Sequence, residues 1–446
     1  MQKIHTKNRL IFRSVLSSKS QNLINDLKAI EPNSMHTHLP VVWSKAKGSS
    51  VYDLYGNKFI DFTSTIFVTN IGHSNSKLVK NLKKALNNEL LHSYIYPHEL
   101  RKNYIKKLIQ FSGKKFQKAF LLSSGTEATE AALKLMKLYG IKRKKRKNII
   151  ICIEGNWHGR TMGAQLMSNN SKQRKWIGNV DAQIIHIPFP YPWKVKENQG
   201  KKFFLNSIKK ISKKFNLKKD IAGIMLETFQ GWGAVFYPIS YVREISKFCK
   251  KNDIILSFDE MQAGFGRTGL NFGFEHYKVD PDMICCGKGM GGGIPLSGVL
   301  GKKKIMDLPN IGDMSSTNSG NPLSCVAGIT VINELAKNNI VRNVKKKEKI
   351  LSTHLKKIEK KFSKFIKFVS VKGLIAAIIF KNPNSKKNIN KINDVCIDCL
   401  QNGLIVVNTG RESIKIGPPL SITDSALKEG LEVLEQSIGK FFHASN

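Results

Sequence analysis

Short apolar runs alternate with helical patterns between about residue 75 and residue 325, and this alternation limits the folds open to the chain. The runs are apolar at consecutive positions, as in parallel strands that helices cover on both faces. They are Asn148–Ile153, Ile221–Leu226, Ile254–Phe258 and Met283–Cys286. A further strand at Ala119–Leu122 leads into a helix that we expect to end at Gly140. The pattern predicts an α/β fold with an open, mostly parallel sheet covered by helices.

The two ends of the chain predict a second, smaller α+β domain. Residues 51–57 have the pattern of a strand, a Gly-Asn turn and a second strand. After residue 325 we expect a long helical stretch to about Leu355, a Lys-rich linker, and then short strands near residues 365–380 and 404–407. We therefore divide the chain into three parts. They are an N-terminal segment that contributes to the small domain (residues 1–74), a large domain (residues 75–325) and a C-terminal small domain (residues 326–446).

The charge balance is strongly basic and bears on possible partners. Seventy-three Lys and Arg residues against 32 Asp and Glu give a net charge of +41, which would suit nucleic acid or an anionic membrane surface. The lysines are spread along the whole chain, however, and the densest run, Lys142–Lys147, has no interleaved aromatic residues. We therefore expect a solvated basic surface, with neither nucleic acid nor membrane as a partner.

Apolar runs and cysteines bear on compartment and metal binding. No apolar run approaches the ~18 residues that span a bilayer, and no secretory signal pattern is visible, so a soluble, cytoplasmic protein is expected. Among the seven cysteines, Cys396 and Cys399 form a lone C-x-x-C inside a predicted helix, without a second ligand pair at zinc-binding spacing. We expect buried free thiols and no metal site.

Four segments place reactive or anion-binding groups where open α/β sheets bind ligands. The turn Ser123–Ala128 offers amides, a helix N-terminus and the Thr126 hydroxyl to an anion, although ordinary helix capping also explains such a turn. Asp259 ends a buried strand and needs a cation, such as a protonated pyridine nitrogen. Lys288 follows another strand in a Gly-rich loop, where a buried amine becomes a nucleophile able to form a Schiff base. With Trp157 as a stacking platform, these groups supply what pyridoxal 5′-phosphate needs.

The order of these motifs resembles that of the class III pyridoxal-phosphate-dependent aminotransferases, from about residue 40 to about residue 437. The matching motifs are S-G-T-E-A at Ser124, W-H-G-R-T at Trp157, D-E-M-Q-A-G-F-G-R-T-G at Asp259, G-K-G-M-G-G-G-I-P around Lys288 and T-N-S-G-N-P at Thr317. The resemblance implies a fold-type-I transferase, in which a large cofactor-binding domain is joined by a smaller domain built from both chain ends.

The resemblance also implies catalytic and cofactor-binding roles for individual residues. Lys288 is similar to the lysine that holds the cofactor as a Schiff base and then moves the substrate proton as general base and acid. Asp259 resembles the residue that keeps the pyridine nitrogen protonated. Further cofactor contacts are implied for Gly125 and Thr126 at the phosphate, Gln262 near the phenolic oxygen and Trp157 at the ring face. Thr317 resembles the threonine that reaches the phosphate of the neighbouring subunit, which implies an obligatory homodimer with a shared active site.

Two departures from the family pattern concern the substrate. Many members have a glutamate and an arginine where this chain has Trp232 and Lys415, and the arginine of that pair binds the α-carboxylate of glutamate. A lysine attracts a carboxylate but cannot bind it bidentately. Trp232 and Lys415 are therefore candidate substrate-binding residues. We expect weakened recognition of glutamate and 2-oxoglutarate, unless a neighbouring cation such as Arg411 takes the arginine's place.

The function implied by the resemblance is transamination of a terminal amine or ω-amino acid, similar to 4-aminobutyrate, with a 2-oxo acid by a ping-pong mechanism. One alternative is another pyridoxal chemistry on the same scaffold, as in an aminomutase, a racemase or a decarboxylase. A second is a nucleic-acid-binding protein without enzymatic activity, which only the net charge suggests. A half-reaction assay separates the first two, because only transamination releases an amino-group-free product while the protein keeps the nitrogen.

Overall fold

The computed structural model describes residues 3–35, 39–143, 147–178, 183–337, 339–381 and 386–442. The chain divides into two units. The large unit comprises Ser76–Gly231 and Val235–Asn339, and the small unit comprises Met1–Asn75, Trp232–Ala234 and Ile340–Asn446. The helix that begins at Pro322 thus groups with the large unit, whereas the boundary expected from the sequence stands at residue 325. The sequence-based domain division stays a prediction.

The strands and helices are numbered in chain order. The strands are β1 Ile4–His5, β2 Leu10–Ile11, β3 Trp43–Lys47, β4 Ser50–Asp53, β5 Lys58–Asp61, β6 Lys118–Leu122, β7 Ile149–Ile153, β8 Ile184–Ile187, β9 Ile221–Glu227, β10 Phe229–Gln230, β11 Val235–Phe236, β12 Ile255–Asp259, β13 Met283–Cys286, β14 Ser297–Gly301, β15 Ile366–Lys372, β16 Ile375–Phe380, β17 Leu404–Ile405, β18 Val407–Asn408 and β19 Ser413–Ile416. The helices are α1 Ser18–Ile30, α2 Ser64–Phe67, α3 Ser76–Leu86, α4 Glu99–Phe111, α5 Gly125–Arg143, α6 Met162–Met167, α7 Ser171–Arg174, α8 Gly200–Ser212, α9 Leu217–Asp220, α10 Ile239–Asn252, α11 Lys303–Met306, α12 Pro322–Lys337, α13 Ile340–Lys361, α14 Lys386–Gln401 and α15 Asp424–Phe441.

The large unit is built on a seven-stranded sheet in the order β6-β14-β13-β12-β9-β7-β8. Strand β12 pairs in parallel with β9 and β13, and β7 pairs in parallel with β8 and β9. Strand β14 runs antiparallel to both of its neighbours, β13 and β6. The prediction of a mostly parallel sheet is confirmed, and β14 is a strand that was not predicted from the sequence.

Helix α5 packs on this sheet through a face that includes Ala128, Ala132 and Met136, all of them buried in the hydrophobic core. The expectation that this helix ends at Gly140 is wrong, because α5 continues to Arg143. A Cβ atom at Gly140 would lie 1.7 Å from the carbonyl oxygen of Lys147. Gly140 therefore serves close packing within the helix rather than its termination.

The basic run at Lys142–Lys147 is described only in part, since residues 144–146 lie outside the described residues. Lys147 is buried, contrary to the expectation of a solvated run, and its Nζ donates hydrogen bonds to the carbonyl oxygens of Asn252 and Asp253. These acceptors compensate the burial of the ammonium group.

The small unit contains two sheets and is assembled from both chain ends. One sheet has the order β1-β2-β5-β4-β3, with β17 paired in parallel to β5, and the other has the order β15-β16-β19-β18. This arrangement confirms the predicted smaller α+β part. The predicted Lys-rich linker after Leu355 is wrong: α13 continues to Lys361, because Leu351, Leu355 and Ile358 form a buried helical stripe.

A single left-handed turn follows β5 in the small unit. All four residues of Ser64–Phe67 have positive φ, between 48° and 70°, a conformation that L-residues rarely adopt in succession. The Ser64 hydroxyl donates a hydrogen bond to the carbonyl oxygen of Gly417. A Cβ at Gly417 would lie 2.0 Å from the Phe67 ring, so the turn holds this ring directly against the chain.

Within the described residues, no helix is long and apolar enough to cross a membrane. The same part of the chain contains no cluster of three or more His, Cys, Asp or Glu side chains that could hold a metal ion.

Candidate active site

Asp259 lies at the carboxyl end of β12, in the middle of the large unit's sheet. It is 4% exposed. Its Oδ2 lies 2.9 Å from Nδ1 of His158, and its Oδ1 accepts a hydrogen bond from the amide of Met261 at 3.0 Å. His158 is itself buried, and its amide donates to the Ser168 hydroxyl at 2.7 Å. A carboxylate that is buried and oriented in this way is suited to hold a protonated ring nitrogen.

Glu227 ends the neighbouring strand β9 and is paired in register with Asp259. Its Oε2 accepts hydrogen bonds from the amides of Trp157 and Gly231, at 3.0 and 3.1 Å. Burial raises the pKa of Glu227 to about 7, and the charge of Asp259 acts in the same direction. Glu227 was not among the site residues predicted from the sequence. Its position at the end of an apolar strand, like that of Asp259, was the signal that could have revealed it.

Lys288 lies two residues after β13 in a strained backbone conformation. Its φ is +46°, in the left-handed region that favours glycine. The side chain is half-buried, and within the described residues its amine has no hydrogen bond or ion pair. Strained residues that the fold maintains are concentrated at functional sites.

Met261 brings three of the predicted segments together. A Cβ at Gly125 would lie 3.0 Å from Sδ of Met261, and a Cβ at Gly287 would lie 2.5 Å from the same atom. Gly125 begins the candidate phosphate turn, Met261 follows Asp259, and Gly287 precedes Lys288. The candidate phosphate, ring-nitrogen and lysine segments therefore meet around this thioether.

The candidate phosphate turn is smaller than the sequence suggested. Oε2 of Glu127 accepts the amides of Ser123 and Ser124, at 3.2 and 2.6 Å, so these two donors are engaged within the protein. The amides of Gly125 and Thr126 lie in the first turn of α5, where an α-helix provides no internal acceptor. These two residues retain the geometry of an anion site.

The segment with Trp157 is fixed to that turn. The Thr161 hydroxyl lies 2.6 Å from the Thr126 hydroxyl, and a Cβ at Gly159 would lie 2.3 Å from Oγ1 of Thr126. The indole of Trp157 is partly exposed, and Cζ of Arg160 lies 4.7 Å from its centroid. Arg160 is an exposed cation beside the stacking candidate that the sequence analysis did not single out.

Gln262 and Thr317 occupy different parts of the large unit. Nε2 of Gln262 lies 3.5 Å from Oε1 of Glu227. Thr317 is exposed, and its carbonyl oxygen accepts a hydrogen bond from Nε2 of His92 at 2.9 Å. The same loop is held by Asn321, whose side-chain Nδ2 donates a hydrogen bond to the carbonyl oxygen of Leu91 at 2.8 Å.

The substrate-binding candidates Trp232 and Lys415 belong to the small unit. Lys415 is 5% exposed, and its Nζ lies 4.6 Å from the centroid of Phe67. Cζ of Arg411 lies 3.8 Å from the centroid of Trp232, and the Arg411 side chain is 43% exposed. The Ser413 hydroxyl donates to the carbonyl oxygen of Trp232 at 3.0 Å.

This fold is that of a fold-type-I enzyme of the pyridoxal-phosphate class. The family model "Aminotransferase class-III" matches residues 31–438, and the chain belongs to this family. Membership confirms the predicted fold class, the prediction of an aminotransferase and pyridoxal 5′-phosphate as the cofactor.

Named relatives fall within the same family. An acetylornithine aminotransferase of Caldanaerobacter subterraneus is 31% identical over 410 residues, covering 91% of this chain and 96% of that protein. A probable 4-aminobutyrate aminotransferase of Bacillus subtilis is 31% identical over 409 residues, covering 88% of this chain and 92% of that protein. The crystal structure of an acetylornithine aminotransferase from Elizabethkingia anophelis has a TM-score of 0.78 and 26% identity, covering 94% of this chain and 99% of that chain.

The residues of the site fit the cofactor. Lys288 offers an amine without a carboxylate partner among the described residues, and Asp259 offers a buried carboxylate already bonded to His158. Glycines stand where side chains would fill the space around Met261. An aldehyde, a protonated ring nitrogen and a phosphate each have a chemically matching partner in this set.

Proposed function

We propose that the protein transfers an amino group from a terminal amine or ω-amino acid to a 2-oxo acid by a ping-pong mechanism. Relatives named for acetylornithine and 4-aminobutyrate support a donor whose reacting amine stands at the end of an aliphatic chain. The observation that carries the proposal within the structure is the strained Lys288, whose preceding residue Gly287 packs against Met261, close in sequence to Asp259, which is buried in contact with His158. The test is a spectroscopic half-reaction with a panel of terminal amines, followed by a panel of 2-oxo acids.

The chain's own residues have separable roles in this proposal. When bound, pyridoxal 5′-phosphate supplies an aldehyde that condenses with amines and a ring that withdraws electrons. Lys288 holds the cofactor covalently and, once released, moves the proton at the substrate carbon. Asp259, oriented by His158, keeps a proton on the ring nitrogen. The remaining contacts are the phosphate at Gly125 and Thr126, the ring face at Trp157 and the phenolic oxygen at Gln262.

We further propose that the active unit is a homodimer and that Thr317 binds the phosphate held by the partner subunit. Thr317 is tied to an exposed apolar segment, because its carbonyl oxygen is bonded to His92. In that segment Leu91, Ile95 and Tyr96 are 56%, 62% and 73% exposed. Arg101 donates hydrogen bonds to the carbonyl oxygens of residues 94, 95 and 96, so the exposed side chains stand on a fixed backbone. A second copy of the chain would bury such an exposed apolar surface in a homodimer interface.

Replacing Ile95 and Tyr96 together with aspartate should convert the dimer to monomers. Each buried interface anchor of this kind contributes roughly 2 kcal/mol or more, and each substitution occurs twice in a two-fold dimer, so the dimer dissociation constant should rise about a million-fold. Sedimentation velocity measures the change. Leu205→Asp is the control, because Leu205 is a 40% exposed residue of α8 and should leave the mass unchanged. A wild-type chain that is active at monomer mass would refute the shared site.

We propose that Arg411, together with Trp232, recognises a substrate carboxylate, in place of the arginine that many family members have at the position of Lys415. The Arg411 guanidinium lies over the indole and remains 43% exposed, whereas Lys415 is buried against Phe67. Arg411 also donates two long hydrogen bonds, both of 3.4 Å, to the carboxylate of the adjacent Glu412, so a substrate carboxylate would have to displace Glu412 from it. A stacked guanidinium is restricted in orientation and can bind a carboxylate through two parallel hydrogen bonds. Roles for Trp232 and Lys415 in substrate binding stay predictions.

Arg411→Lys should lower kcat/KM for 2-oxoglutarate by about ten- to a hundred-fold, because a charge-assisted bidentate contact is worth about 1.5–3 kcal/mol. The loss should appear mainly in KM. Lys415→Gln is the companion variant and should change kcat/KM less. The reverse order of effects would assign the carboxylate to Lys415, and glutamate turnover measured in parallel shows whether donor and acceptor share the contact.

A further inference from the structure

Glu227 is a buried acid of the site that has no role in the proposed function. We propose that Glu227 is a positioning residue that fixes both the stacking residue Trp157 and the amide of Gln262 for the cofactor. The inference rests on the proposed roles of those two residues and deepens them by naming the group that holds them. Glu227 acts through these neighbours and is not itself assigned a contact with the cofactor.

A single carboxylate joins three segments that are distant in sequence. Oε2 of Glu227 accepts the amide of Trp157 after β7 and the amide of Gly231 after β10, at 3.0 and 3.1 Å. Oε1 lies 3.5 Å from the Nε2 of Gln262, which follows β12. Because Trp157 is bound through its backbone amide, this hydrogen bond fixes the backbone position from which the indole side chain extends.

The Glu227 carboxylate is closely packed against the turn at Gly231. A Cβ at Gly231 would lie 2.7 Å from Oε1 of Glu227 and 2.5 Å from Nε2 of Gln262. Glycine at this position is therefore what lets the turn approach both side chains. The close approach from three sides means that a displaced Glu227 would move Trp157 and Gln262 together.

The contacts call for a carboxylate rather than an amide. Both oxygens of a carboxylate accept hydrogen bonds, whereas an amide offers one acceptor and would point its NH2 group at a donor. Two backbone amides and the imidazole of His158 favour the charged form, against burial and the neighbouring charge of Asp259. Hydrogen bonds from amides to a charged carboxylate are also stronger than those between neutral groups.

Glu260 provides a matched control in the same structure. It is also fully buried, and burial also raises its pKa to about 7. It accepts the amides of Gly273 and Phe274, both at 2.7 Å, and the hydroxyl of Thr228. None of these partners is a proposed cofactor contact, so Glu260 reports the cost of neutralising a buried glutamate alone.

The experiment compares Glu227→Gln, Glu227→Ala and Glu260→Gln in the full-length chain. The measurements are the dissociation constant for pyridoxal 5′-phosphate, the circular dichroism of the bound cofactor's visible band, and thermal unfolding. We expect the dissociation constant to rise about ten-fold in Glu227→Gln and up to about a hundred-fold in Glu227→Ala. The visible circular dichroism should fall in both, because the ring loses a fixed platform. Glu260→Gln should lower the unfolding temperature while leaving the dissociation constant and the dichroism within about two-fold of wild type.

Two results would overturn the positioning role. One is an unchanged dissociation constant and dichroism in Glu227→Gln, which keeps the side chain's size and therefore its packing. The other is an equal change in Glu260→Gln, which would show a general effect of neutralising a buried acid. A cofactor that remains covalently attached in Lys288→Ala would instead refute the proposed function, so the two failures are distinguishable.

Discussion

Replacing Lys288 with alanine should lower the rate of transamination by about 10⁴-fold or more, because in the proposed function the same amine attaches the cofactor and moves the substrate proton. The visible absorption of the attached cofactor should disappear. Borohydride reduction of the wild-type protein, followed by peptide mapping, should place the cofactor on the peptide that contains Lys288. A Lys288→Ala protein with wild-type turnover would refute the assignment.

The matched control for this substitution is Lys278→Ala. Lys278 is also a lysine with a left-handed backbone, at a φ of +55°, but it is exposed at the end of a short helical turn. Both variants place alanine in the same unfavourable conformation, so any shared loss of stability cancels in the comparison. Only Lys288→Ala should lose activity and the visible band.

Replacing Asp259 with asparagine should leave the cofactor attached and slow both half-reactions by about 10²- to 10⁴-fold. The amide has nearly the size of the carboxylate and can still contact His158. It carries no charge, however, so it no longer stabilises a proton on the ring nitrogen. Single-turnover absorption changes with an amine donor and then a 2-oxo acid measure the two rates.

Asp282→Asn is the control for this second variant. Asp282 lies beside the other end of the same strands, where it accepts the amide of Leu256 at 3.0 Å and pairs with Lys302 at 3.2 Å. It should lower stability without slowing the half-reactions. Full activity in Asp259→Asn would reduce Asp259 to a structural residue.

Much of the large unit could be predicted from sequence because its central strands are almost entirely apolar and buried on both faces. Such strands leave few alternatives to a sheet covered by helices, and their ends then indicate where ligands bind. Asp259 and Lys288 were visible in this way, since each is a charged residue next to an apolar run. Strand β14, Ser297–Gly301, was missed because two of its five residues are glycines, which have low strand propensity.

Other features depend on pairing and contacts that no local pattern contains. Glu227 becomes part of the site only through its register beside Asp259. The role of Gly140 is decided by the backbone at Lys147 rather than by helix propensity. Likewise, Glu127 accepts hydrogen bonds from the amides of Ser123 and Ser124, which the sequence pattern alone suggested for an anion. In each case the residue type is compatible with more than one role, and the tertiary contacts determine which role the residue has.

The pairing of β17 with β5 has a consequence for how the protein is made. Leu404 is the partner of Ile60, so β5 emerges from the ribosome on the order of 340 residues before its parallel neighbour. At roughly 5–20 residues synthesised per second, the edge of β5 that pairs with β17 stays without this partner for roughly 20 to 70 s. All strands of the seven-stranded sheet lie between Lys118 and Gly301, so this sheet can close earlier in translation. The nascent N-terminal strands are therefore the part of the chain most exposed to unwanted edge pairing, and the part where a chaperone would bring the greatest benefit.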